Sequence, residues 1–475
     1  MIRVEGFTKA KQLLTRKDFL ESFAASSEAA ARIRQTFGKE LSPQQVVDLI
    51  ISEVHHKGDK ALFDYTEKLD GVKLDSLEVS RQEVAAAYDK ADKKLISALE
   101  LAAERIQNFH VACGHKAGVI SIVKHLGQLI RPLDRVGLYV PGGTAAYPST
   151  VLMMAIPAKV AGVKEIIMAS PPGKDGGIPA ITLVAAGIAK VNRVFKVGGA
   201  QAIAALAFGT ELIPKVDKIC GPGNIFVTLA KKTVYGIVGI DGLEGPSEIV
   251  IVADKTADPV LCAADLLAQA EHDPLASVIL ITSSTELANR VDKEIELQLG
   301  KLKRRSIAKQ AIDKGMIVNV DNIDEAVELV NLYAPEHLSL MVSDASSLIS
   351  RFHNAGCIFI GENSPVVLGD YVAGPSHVLP TQGSARFSSP LGVADFLKVS
   401  NIVALDKPAM QELSQAAMVI ARAEGLDAHA QAIALRVIAV SRSPERSEGE
   451  AKQSQRLTSS PSMGDSSSQK GMGAK

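Results

Sequence analysis

Cysteine is scarce: four residues in 475, Cys113, Cys220, Cys262 and Cys357, with no CxxC pair among them. That spacing offers neither a disulfide framework nor a thiolate zinc site, and it suits a reducing compartment. A charge excess is also missing. Lys plus Arg number 52 against 53 Asp plus Glu, a formal net charge of -1. Basic residues do not concentrate on one helix face, so neither nucleic acid nor an anionic membrane is an expected partner. Long apolar runs are absent. The N-terminal MIRVEGFTKAKQLLTRKDFLESF lacks the apolar stretch of a signal peptide. The most apolar segment, VLMMAIPAKVAGV at 151–163, is too short to span a bilayer and contains Lys159. The cytoplasm is therefore the expected location.

What is present is an ordinary globular composition, 47% hydrophobic and 22% charged. The length suits roughly three units of about 150 residues. The first third reads as helical. Ser42, Pro43 and Gln45 form a capping box with proline at the first helical position, and Gly58 marks the stop. Val46, Val47, Ile50, Ile51 and Val54 supply the apolar stripe between them. Ser80 and Glu83 repeat the box, and LISALELAAERIQNFH continues the helical pattern. From about Arg135 the rhythm changes to short apolar runs separated by helical stretches: VGLYV, EIIMAS, RVFKVG, KIC, EIVIVAD, SVILITS, MIVNV, LSLMV and CIFIG. This alternation predicts parallel sheet with crossover helices. The expected organisation is a helical arm at 1–34 and an α/β domain from 35–132 plus 247–388. An α/β unit at 133–246 is inserted, a helical segment follows at 389–440, and 441–475 form a polar, disordered tail.

Candidate chemistry is scattered over the second half. Gln269 and His272 in LAQAEHD are three apart on a predicted helix, so they share a face. They read as two ligands to one ion, or as a polar pair at a helix end. Glu336 and His337 in YAPEHL follow a proline at a helix-to-strand junction. There a His can accept a proton at neutral pH and a Glu can activate water, or both can simply decorate a turn. Asp370 lies in a Gly-rich loop, LGDYVAGPSHVLP, where it reads as a site residue or as the start of an Asx-turn, with His377 a competing ligand in the same loop. Glu424 and His429 sit in AEGLDAH at the C-terminal helix. Three Gly-rich turns precede predicted helices: VPGGTAAYPS at 140–149, VGGAQAIAAL at 197–206 and CGPGNIFVT at 220–228. Each can offer backbone N–H groups to an anionic, nucleotide-like ligand, yet none is GxGxxG. Cys220 beside the third reads as a nucleophile or as a small buried hydrophobe.

Taken in order, RVGLYVPGG, YPSTVLM, KVGGAQAIAALAFGT, CGPGN, GPSE, LLAQAEHDP, YAPEHL, GDYVAGPSHVLPT and AEGLDAH resemble the histidinol dehydrogenase family over about residues 30–440. The resemblance implies an α/β fold of two incomplete Rossmann-like parallel-sheet domains, aldehyde-dehydrogenase-like. It adds a helical N-terminal segment and a C-terminal helical extension used in dimerisation. It implies two NAD-dependent oxidations, from L-histidinol through L-histidinal to L-histidine, on a homodimer with one zinc per site. The implied zinc ligands are Gln269, His272, Asp370 and the partner copy's His429. The implied substrate contacts are Ser247, Gln269, His272, Glu336, His337, Asp370, Glu424 and His429. Tyr139, Gln201 and Asn224 would contact NAD. Glu336 and His337 would be the catalytic pair. Manganese or cobalt suits the same ligands as zinc. Rival readings are a thiol-type aldehyde dehydrogenase using Cys220 or Cys262, a zinc hydrolase, a non-catalytic binding protein, and a related dehydrogenase acting on another amino alcohol.

Overall fold

Strands form where the sequence carries short β-branched runs, and in the computed structural model these are the runs named above, with additions. The structure describes residues 1–16, 27–114, 117–142 and 146–441. In chain order the first strands are β1 (Ile2–Glu5), β2 (Gly118–Val123), β3 (Leu126–Pro132), β4 (Arg135–Tyr139) and β5 (Glu165–Ser170). Next come β6 (Arg193–Lys196), β7 (Lys218–Cys220), β8 (Gly239–Ile240), β9 (Glu248–Ala253) and β10 (Ser277–Thr282). The last are β11 (Met316–Asn319), β12 (His337–Met341), β13 (Cys357–Ile360) and β14 (Leu397–Val403). The disordered tail expected at 441–475 lies outside the described residues beyond Ser441, as do parts of the N-terminal arm and of the VPGGTAAYPS turn. Among the described residues no helix is long and apolar enough to cross a membrane.

The chain divides into two units, Met1–His115 with Leu133–Phe396, and Lys116–Pro132 with Leu397–Lys475. The first holds two parallel sheets. The smaller runs β6-β5-β4-β7-β8. The chain winds outward from β4 to β6 on one side, then returns to β7 and β8 on the other, so the winding reverses between β4 and β7. In such sheets ligands bind outside the carboxyl ends of the strands at that reversal. Helices Gly199–Phe208, Ile225–Val234 and Pro43–Lys57 cover one face, and their Ala202, Ile203, Val227, Val47 and Ile50 join Ile219 in a single core. Both capping boxes form: Ser42 accepts from Gln45 and Ser80 from Glu83, and each partner side chain returns the bond.

The glycine after β7 is forced by space. Gly221 has φ +124°, and a Cβ there would stand 2.1 Å from the Tyr139 carbonyl oxygen. Gly221→Ala is therefore expected to destabilise the fold by more than the roughly 1–3 kcal/mol of backbone strain alone. Chemical denaturation checks this, and an unchanged midpoint refutes it.

The larger sheet runs β1-β11-β10-β9-β12-β13, all parallel. Its winding reverses between β9 and β12, the same plan with one strand added at an edge. That strand, β1, comes from the segment that reads as a helical arm. Only four residues long, IRVE carries too short a pattern to identify a strand, and its pairing with β11 decides it. Every residue of β9 is buried, as expected for a strand covered on both faces.

The second unit carries an antiparallel sheet β14-β3-β2 that the sequence pattern did not reveal, and two helices, Lys407–Ala423 and Asp427–Ser441, packed on each other. Leu413, Val419, Ile420, Leu435 and Ile438 on these helices are exposed, as are Ile122, Val399 and Val403 on the strands.

Candidate active site

A helix, a proline and a parallel strand together deliver the central pair. Helix Ile323–Tyr333 ends at Ala334, held at φ 52° in the left-handed region. Pro335 prevents continuation, Glu336 follows, and His337 opens β12 between Ile249 of β9 and Cys357 of β13. Both side chains are buried. The Glu336 carboxylate accepts the backbone N–H of Glu248 at 2.7 Å. The carbonyl of the same Glu248 lies 3.0 Å from His337 Nδ1. A carbonyl only accepts, so Nδ1 carries a hydrogen, and in the neutral form of the ring the lone pair is at Nε2. Among the described residues the buried Nε2 has no hydrogen-bond partner, and it faces the Asp370 carboxylate at 3.5 Å.

Asp370 sits near the end of a short helix, Val366–Tyr371, and not in the loop its glycine neighbours suggest. Burial pushes its carboxyl up, but the facing His337 ring, with His377 and His272 nearby, holds it below the usual carboxylate range. For His337, burial works against the charged ring, and the Glu336 and Asp370 carboxylates outweigh it, raising it well above ordinary imidazole. His377 is committed elsewhere. Its Nδ1 bonds the Asp370 carbonyl at 2.7 Å and its Nε2 the Thr150 hydroxyl at 3.2 Å.

Gln269 is buried on helix Pro259–Ala270, which packs against the Asp370 helix. His272 falls just past the helix end, not on it, and a turn bond from its N–H to the Gln269 carbonyl at 3.2 Å keeps the two neighbours. Ser247 precedes β9 and is half-buried. The first unit therefore holds Ser247, Gln269, His272, Glu336, His337 and Asp370. Glu424, the C-cap of helix Lys407–Ala423, and His429, on the last helix, belong to the second unit and are exposed there.

The residues proposed for NAD line the carboxyl edge of the smaller sheet. Tyr139 ends β4, and its hydroxyl accepts the Gly199 N–H at 3.1 Å. Gln201 is buried in the first turn of helix Gly199–Phe208, which follows β6, and among the described residues its amide oxygen has no hydrogen-bond partner. Asn224 caps helix Ile225–Val234 by accepting from Phe226 and Val227. The environments of Cys220 and Cys262 disfavour the thiol-nucleophile reading. Burial pushes the Cys220 thiol well up, and burial with Asp265 raises Cys262 to about 12, so neither forms a thiolate near neutrality.

Two charged clusters escaped sequence reading. Lys231, Asp241 and Glu244 form a buried group behind the third Gly-rich turn. Glu248, in the GPSE string, supplies the backbone that seats both central side chains. Its only signal is a carboxylate opening an otherwise apolar strand.

Two doubly wound parallel sheets, with a buried histidine between carboxylates at one of them, define the class as an α/β enzyme. The chain belongs to the histidinol dehydrogenase family, whose profile matches residues 34–437, and this makes it an oxidoreductase of histidine biosynthesis. It is 53% identical over 435 residues to the histidinol dehydrogenase of Dehalococcoides mccartyi, covering 91% of this chain and 99% of that one. It is 51% identical over 395 residues to the Clostridium acetobutylicum enzyme, covering 82% and 92%. The crystal structure of histidinol dehydrogenase from Elizabethkingia anophelis superposes with a TM-score of 0.84 at 35% identity, covering 93% of this chain and 99% of that one.

Proposed function

We propose that the chain oxidises L-histidinol through L-histidinal to L-histidine in two NAD-dependent steps, with zinc bound by Gln269, His272, Asp370 and the His429 of a second copy. The carrying observation is His337, pinned through Nδ1 to Glu248 with an unpartnered Nε2. In the first step Nε2 takes the alcohol proton as hydride leaves for NAD. Glu336 then removes a proton from water as it adds to the aldehyde. The hydrate loses a second hydride, with His337 again the base. The balance is one histidinol, one water and two NAD+ giving histidine, two NADH and three protons.

The donor set suits a borderline-hard ion: an amide oxygen, an imidazole nitrogen and a carboxylate held anionic by its histidine neighbours. Among the described residues no three His, Cys, Asp or Glu side chains converge as a metal cage. The proposed set puts two such residues and the Gln269 amide in the first unit, and His429 of a second copy is the proposed fourth ligand. When bound, zinc supplies positive charge that orients the substrate's nitrogens and competes with His337 for the Asp370 carboxylate. For NAD, the fit rests on the orphaned Gln201 oxygen and the close-packed Gly221 turn, both beside the winding reversal. Exposed apolar side chains on the second unit's helices support a homodimer that completes the site. We assign the cytoplasm as its location.

NADH formed per L-histidinol consumed, with and without a chelator, tests this reading. Two NADH per substrate, lost on chelation and restored by zinc, is the expected result. One NADH with free aldehyde overturns the Glu336 step. No NADH shifts the substrate to another amino alcohol.

A further inference from the structure

We propose that Arg16 is a positioning residue for the Glu336–His337 pair, acting through Glu248 and Tyr333 from the N-terminal segment. The inference rests on the acid/base reading of that pair and extends it to a residue far away in sequence.

Arg16 follows the first helix, Phe7–Leu14, which packs on helix Ile323–Tyr333. Its guanidinium makes a fork with the Glu248 carboxylate, at 2.5 Å and 2.7 Å. Its Nε donates to the Tyr333 carbonyl at 3.0 Å, and the guanidinium plane lies 3.7 Å from the centre of the Tyr333 ring. One side chain therefore grips both supports of the catalytic pair. Tyr333 is the last helical residue before the Ala334-Pro335 turn that delivers Glu336 and His337. Glu248 is the residue whose N–H seats the Glu336 carboxylate and whose carbonyl holds His337 Nδ1.

Electrostatics explains why a cation is needed there. The Glu248 and Glu336 carboxylates are both buried and repel each other, and a second acceptor bond, from the Gln382 N–H at 3.2 Å, does not neutralise charge. Without Arg16, Glu248 would be an uncompensated buried anion beside the catalytic Glu, and the strand end could relax only by moving the backbone both catalytic residues hold. A lysine cannot replace the fork, the Nε bond and the stacked plane together.

The test compares Arg16→Met, Arg16→Lys and Arg16→Ala with His337→Asn, in the full-length enzyme loaded with zinc. Readouts are kcat and KM for L-histidinol and NAD, thermal unfolding and bound metal. The expected result is a kcat loss on the order of 10- to 100-fold in Arg16→Met. Both KM values and bound metal should stay near wild type, Arg16→Lys should recover little, and low-millimolar guanidinium should partly rescue Arg16→Ala. Should Arg16→Met fail to fold, Glu248→Gln, which keeps the shape but weakens the fork, takes its place with the same expectation. Wild-type kcat in the Arg16 variants while His337→Asn is impaired overturns the proposal and leaves the acid/base reading intact. Wild-type kcat in His337→Asn overturns that reading itself. Losses that only track the unfolded fraction, without guanidinium rescue, assign Arg16 to holding the N-terminal segment and overturn the positioning role.

Discussion

His337→Asn is expected to lower kcat for L-histidinol oxidation by on the order of 10²- to 10⁴-fold, the usual worth of a general base. Asparagine isolates that role. Its amide N–H reaches the position of Nδ1 and can still donate to the Glu248 carbonyl, so the strand end keeps its bond. What disappears is Nε2, the nitrogen facing Asp370. A base acts on a proton that moves only in the transition state, so kcat should fall far more than KM rises. Steady-state NADH production at saturating and limiting histidinol separates the two. Turnover equal to wild type would remove His337 from the chemistry.

Lys231→Met carries the largest expected loss of stability, about 3–5 kcal/mol. The Lys231 ammonium is fully buried and donates to the Gly221 carbonyl at 2.9 Å and to Glu244 at 2.6 Å, with Asp241 also at 2.6 Å. Methionine fills similar space but leaves two carboxylates buried without a cation. Burial and Asp241 already push Glu244 up to about 7 despite Lys231. With the cation gone it rises further, so the folded variant takes up a proton that the unfolded chain releases at lower pH. Stability is lost as pH rises through the folded value, and the deficit should be deeper at pH 8 than at pH 6. Denaturant midpoints for both proteins at the two pH values check the size and the sign. A pH-independent deficit would mean that packing, not charge, supplies the effect.

Much of the architecture was legible because it is written locally. Parallel strands covered on both faces are continuous apolar runs, and EIVIVA or SVILIT cannot satisfy any exposed position. The capping boxes at Ser42 and Ser80 are four-residue signals that need no tertiary partner. The edge strand β1 and the β3–β14 pairing escaped because their partners lie far along the chain, Met316–Asn319 for β1 and Leu397–Val403 for β3; the local hairpin β2-β3 was missed although its two strands are adjacent in sequence. The candidate site divides the same way. Glu336 and His337 stand out beside a proline, whereas Asp370 looked like a loop residue because its glycine neighbours mask a single helical turn.

Lys231 and Lys232 make the same point in two adjacent residues of identical type: one is fully buried against two acids and its neighbour is exposed. The strand–helix alternation from Arg135 to the CIFIG strand, the family and the identities of the chemical groups follow from the sequence alone, because periodicity, caps and motif strings are short-range. Which nitrogen of His337 bears the proton, which histidine beside Asp370 is already committed, and that Arg16 reaches the catalytic strand end were decided only by the tertiary structure. Those outcomes depend on a backbone carbonyl, a hydroxyl and a carboxylate brought together across 89, 227 and 232 residues of chain.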